Sequence, residues 1–174
     1  APTKVSQTAA QTFTNFYEQI RYSLDGSKDV SKEFIVELPD TSDKLTQTLA
    51  ARTNTVPALG PNWTGNSTQR KFQAGSKIRD QMTGFADSEG IELIWTLPRD
   101  YVVKHYFHSE GDYLMTLRDI ATAIAPDFQT PILVFLCPKE RAAVITDKNN
   151  PFLDSHCQHL NAEAPSKSPA RSPN

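Results

Sequence analysis

From residue 70 onward the chain alternates between two hydrophobic periods, one near 2 and one near 3.6, and the alternation predicts its elements. "RKFQAG" reads as a short strand. Ser76 is placed to cap a helix that carries Ile78, Met82, Phe85 and Ala86 on one face and stops at Gly90. "IELIWT" follows as a strand with Ile91, Leu93 and Trp95 on one side, and Pro98-Arg99-Asp100 turns the chain. "YVVKHYFHS" then alternates as one further strand, with Tyr101, Val103, His105 and Phe107 facing one way. Asp112 caps a second helix, with Leu117, Ile120, Ala121 and Ile124 on its stripe and Pro126 just beyond its end. "TPILVFLC" is an unbroken apolar run of strand length, the pattern of a strand buried on both faces, and "RAAVIT" returns beside it through Pro138-Lys139-Glu140.

Upstream the periodicity is weaker. Phe13, Phe16, Tyr17, Ile20 and Leu24 predict an amphipathic helix over residues 8–24, and residues 33–38 predict a strand stopped by Pro39. Thr41 or Ser42 is placed to cap a helix reaching about residue 52, and "TNTVPALGPNWTGNSTQRK" has the composition of a loop. The expected organisation is a helical and extended segment over 1–60, a folded domain over 61–155 and a Pro- and Ser-rich disordered tail over 156–174. The fold class is α+β: a small mixed sheet of three to five strands in the order β-α-β-β-α-β-β, preceded by the helical segment. Both helices lie on one face, because each amphipathic stripe must be buried against the sheet. Trp95, Ile78, Met82, Phe85, Leu117 and Ile120 are the expected core.

Charge narrows the functions. Eighteen Lys and Arg against twenty Asp and Glu leave a net charge of −2, which offers no general attraction to nucleic acid or anionic lipid. No apolar run approaches the roughly 20 residues of a membrane helix. The chain begins at Ala1, which leaves room upstream for a removed signal peptide or a lipid-anchor cysteine.

Candidate chemistry is sparse. Several spacings allow a metal or nucleophile to be imagined, and each has a plainer reading. His105 and His108 are three apart, which on a strand sends them to opposite faces. Asp100 with His105, or Asp112 with His108, lacks a nucleophile in a recognisable turn, and "GNSTQRKFQAGSK" lacks the residue order of a phosphate loop. Cys137 and Cys157 are open to three readings: a disulfide, two free thiols, or a zinc site completed by His156 and His159. The residues call for no catalytic group, cofactor, resident metal or small-molecule substrate. An exposed strand edge suits recruitment of a neighbouring protein by backbone pairing, and the strand over 101–108 is the candidate edge. Arg99, Asp100, Tyr101, Lys104 and Tyr106 are the candidate partner-facing residues. Trp63, Trp95 and Tyr101 near turns support an alternative, a glycan- or peptidoglycan-binding module.

The segment from Trp63 also resembles a known family. Trp63 and Gly65, then "AGSKIRDQM", "GIELIWTLPRDY", "GDYLMTLRDI" and "FLCPKERAAVIT" together resemble the C-terminal domain of the toxin-coregulated pilus biosynthesis protein Q family. The resemblance covers about half the chain. It implies a non-enzymatic periplasmic domain, similar to the small N-terminal domains of secretins and to lipoproteins of type IV secretion core complexes. The implied partners are other core-complex or pilus-assembly proteins, including a secretin or outer-membrane ring. The cysteine pair and residues 1–60 have no counterpart in that pattern.

Overall fold

A computed structural model describes residues 35–161; the helix expected over 8–24 lies outside them. Strands are β1 (Ile35–Glu37), β2 (Thr68–Phe72), β3 (Glu92–Trp95), β4 (Arg99–Tyr101), β5 (Phe107–Gly111), β6 (Leu133–Cys137), β7 (Ala142–Thr146) and β8 (Gln158–His159). Helices are α1 (Leu45–Arg52), α2 (Ile78–Glu89), α3 (Tyr113–Ile124) and α4 (Pro151–His156).

The centre is a mixed four-stranded sheet in the order β3-β7-β6-β8, with β3 parallel to β7 and the other pairs antiparallel. Period-2 alternation along β6 and β7 explains why their sequences are apolar throughout. Val134, Leu136, Ala143 and Ile145 join the larger core with α2 and α3. Phe135, Cys137, Ala142 and Val144 point the other way and meet Leu45 and Leu49 of α1 and Leu153 of α4. The α+β class and the two expected helices on one face are therefore present. The opposite face is covered as well, by α1 and by a short helix in the region where hydrophobic regularity fades. Asn150 makes that helix: its side chain accepts from the N–H groups of Phe152 and Leu153, and Pro151 occupies the first turn.

Two antiparallel ribbons complete the fold, β1 with β4 and β2 with β5. The single strand expected over 101–108 is thus two strands separated by a bend at Lys104 and His105. The reason lies in the chain facing it. Residues 73–77 turn at Gly75, which has φ 90°, and the Gly75 N–H donates to Val103 O while the Val103 N–H donates to Ser76 O. Pairing is interrupted where the facing chain turns away. Each half has one strand neighbour, β1 for β4 and β2 for β5, and an isolated Lys77–Val102 bridge follows β4.

The helix ends follow local chemistry except at the starts of α1 and α2: neither Thr41 nor Ser42 caps α1, and the Ser42 hydroxyl donates to Asp40 Oδ1 instead. Gly90 ends α2 in the left-handed region at φ 77°, and Asp112 Oδ1 accepts the Met115 N–H at 2.8 Å to open α3. Ser76 does not cap α2; its hydroxyl donates to Gln73 O at 2.6 Å. Residues 156–161, expected to begin the disordered tail, belong to the fold. Cys157 is bonded to Cys137, β8 pairs with β6, and the Asn161 side chain accepts from the Val134 N–H and donates to Ile132 O.

Candidate partner surface

The turn between β3 and β4 is bound from inside. Asp100 is fully buried, and its Oδ1 accepts the N–H groups of Arg79 at 2.9 Å and Tyr101 at 2.7 Å. A strand aspartate therefore supplies the cap that α2 lacks locally. Burial raises the Asp100 carboxyl above its usual range, and these two bonds oppose the rise. Tyr101 is also fully buried, and its hydroxyl donates to Asp127 Oδ2 at 2.7 Å. Its phenol is pushed well above its ordinary value, by burial first and then by the Asp127 carboxylate.

Arg99 is half-buried, with its guanidinium 5.1 Å from the Phe128 ring centre, and its carbonyl accepts the Trp95 indole N–H at 3.0 Å. Trp95 is a core residue, 7% exposed. The expected core otherwise holds: Ile78, Met82, Leu117 and Ile120 are fully buried. Phe85 is half-buried and meets Phe72 edge-on at 5.5 Å.

Of the five partner-facing candidates, Asp100 and Tyr101 are enclosed by the chain itself, Arg99 and Lys104 are half-buried, and Tyr106 is 46% exposed. Tyr106 leads into a surface that the sequence reading did not single out. On the β2–β5 ribbon Arg70, Phe72, Phe107 and Ser109 face inward, with the Phe72 and Phe107 rings stacked at 4.6 Å. The register sets Lys71 opposite His108 and Gln69 opposite Glu110 on the outer face. Gln69 donates to Glu110 Oε2 at 3.3 Å, and His108 Nε2 lies 3.8 Å from the same oxygen. The alternation in "TQRKF" and "FHSEG" carried this signal. The outer face of the ribbon is thus polar, and the exposed Tyr106 borders it.

Other features have internal uses. A cleft of about 480 Å³ between β2 and the end of α2 has Arg70 and Glu89 in its lining. These two bond each other at 2.7 Å with side chains 3% and 8% exposed. Arg70 also donates to Gly111 O and Asn66 O. The cysteines form a disulfide with sulfurs 2.05 Å apart, which closes the zinc reading with His156 and His159. Those imidazoles stack on Phe152 at 4.1 Å and on Phe135 at 4.6 Å. Burial of Trp95 and Tyr101 removes two of the three aromatic residues that motivated glycan binding, and Trp63 packs against the core.

The match to known proteins falls on this same unit. The family model for toxin co-regulated pilus biosynthesis protein Q matches residues 70–148, a little under half of the 174-residue chain, from inside β2 to just past β7. No curated protein and no solved structure matches the chain. Those residues hold α2, α3 and three of the four strands of the central sheet. Residues 70–148 of this chain are a domain of the toxin co-regulated pilus biosynthesis protein Q family.

Proposed function

We propose that this chain is a non-enzymatic assembly component of a type IVb pilus or of a type IV secretion machine for conjugation or effector export. It works in the periplasm, next to the outer membrane, through contacts with other core-complex proteins, a secretin or an outer-membrane ring among them. The family match carries this reading, since a pilus biosynthesis domain acts within a protein assembly. The ribbon face of Lys71, Tyr106, His108 and Glu110 supports it as the contact surface, because it combines an exposed aromatic ring with charges of both signs.

The test is affinity capture from envelopes solubilised in mild detergent, with the wild type beside Tyr106→Ala and Lys71→Glu. The wild type is expected to retain a ring or pilus-assembly protein, and both variants to stay folded while losing most of it. Recovery of the chain without any such protein overturns the reading. Capture unaffected by the two substitutions moves the contact to another face. Fractionation tests the compartment: the chain is expected in the periplasmic or outer-membrane fraction.

A further inference from the structure

The turn between β6 and β7 brings together three side chains that were not read as a group from the sequence. Cys137 ends β6, Glu140 lies in the turn, and Cys157 follows α4. Their two sulfurs and a carboxylate oxygen all lie within 4.8 Å of one another. The hairpin geometry produces this. Glu140 N–H donates to Cys137 O, Arg141 N–H donates to Pro138 O, and Arg141 takes the left-handed conformation at φ 50°. A tight turn followed by a left-handed residue sets positions 137 and 140 on the same side of the loop.

Glu140 is fully buried, yet only one of its oxygens is used. Oε2 accepts the Thr53 hydroxyl at 2.5 Å, while Oε1 has no hydrogen-bond partner among the described residues. Arg52 is close, but it donates to the backbone: its Nε to Glu140 O at 2.7 Å and its Nη2 to Arg141 O at 3.3 Å. A buried carboxylate oxygen beside two sulfurs is costly unless something positive satisfies it.

We propose that Cys137, Glu140 and Cys157 form a redox-gated site for a divalent cation of the zinc type. As a disulfide the site is closed, because bridged sulfurs carry no thiolate to bind a metal. A reduced dithiol protein opens it by giving two electrons and two protons to the S–S bond, and is itself left as a disulfide. The cation then displaces both thiol protons to solvent and forms two metal–sulfur bonds and one metal–oxygen bond with Glu140, with water in the fourth position. Two thiolates select a zinc-type ion over calcium or magnesium. Two thiolates, one carboxylate and the cation leave one negative charge, which the guanidinium of Arg52, at the end of α1 and bonded to the carbonyls of the turn, offsets.

The experiment uses cobalt(II) as a spectroscopic stand-in for zinc, followed by zinc competition, on the full chain before and after reduction with a phosphine. The reduced wild type is expected to bind one ion per chain, with a thiolate-to-cobalt charge-transfer band, and the oxidised protein none. Glu140→Gln leaves both cysteines and the disulfide in place, and is expected to weaken binding to the reduced form by about tenfold or more. Circular dichroism of the reduced proteins runs in parallel. Absence of the band in reduced wild type overturns the proposal. Equal affinity in wild type and Glu140→Gln, folded or unfolded, also overturns it, since binding would then be that of two thiols alone.

Discussion

The roles of single residues here are decided by what surrounds them. By sequence Trp95 is an expected core residue, with ligand stacking as the alternative. Its ring is buried with Leu93, Val134 and Ile145 in the larger core, and its indole N–H is spent on the carbonyl of Arg99. Trp95→Ala is therefore expected to destabilise the fold by about 3–5 kcal/mol, read from the midpoint and slope of chemical unfolding. Retention of wild-type stability would return the residue to the list of binding candidates. Asp119 on α3 gives a pH-dependent prediction. Burial raises its carboxyl from 3.8 to about 6, partly offset by Arg118. Below about pH 4 both folded and unfolded chains hold this proton, so the residue is neutral to stability there. Between about pH 4 and pH 6 the unfolded chain ionises first, and stability falls as pH rises through that window. Allowing for partial solvent access, the loss is about 1–2 kcal/mol above pH 6, and Asp119→Asn is expected to remove it. Unfolding curves at pH 4 and pH 7 for the two proteins check the sign.

Elements were legible where periodicity was strong and local. The two central helices, the unbroken apolar strand and its hairpin return all appear where spacing placed them, because an amphipathic stripe and a continuous apolar run each admit few arrangements. The strand over 101–108 was misread for a tertiary reason: its alternation continues across the bend, and only the turn at Gly75 in the facing chain breaks it. The cap of α2 was likewise invisible, because Asp100 reaches it across 21 positions of sequence. The short α4 carries little hydrophobic pattern and exists through its Asn150 cap, the burial of Leu153 and the disulfide after it. Closing that loop constrains the unfolded chain, so reduction, or replacement of both cysteines by alanine, is expected to lower stability by about 3 kcal/mol. Unfolding with and without reductant measures it, and amide exchange in β8 and α4 should speed up before exchange in β7.

At the scale of the whole molecule, the family domain and the folded unit have different limits. The matched residues 70–148 leave out β1, α1, α4 and β8. In the folded chain Leu45, Leu49 and Leu153 cover Phe135 and Val144 on the far face of the central sheet, and β1 pairs with β4. A fragment of residues 70–148 is therefore expected to bind a hydrophobic dye and melt at a lower temperature than residues 35–161, because one sheet face is left bare. Equal melting temperatures would show that the flanking elements are dispensable. The sequence by itself determined the α+β class, the two helices of the main core, the hairpin of β6 and β7 and the family of the central domain. These depend on residue periodicity and on short motifs, which are local. Tertiary structure alone decided that Asp100 and Tyr101 serve the interior, that Lys71, His108 and Glu110 share an outer face with Tyr106 beside them, and that Glu140 sits against the cysteine pair. Each of those facts depends on strand register or on contacts between distant segments, and period alone cannot specify which segments will meet.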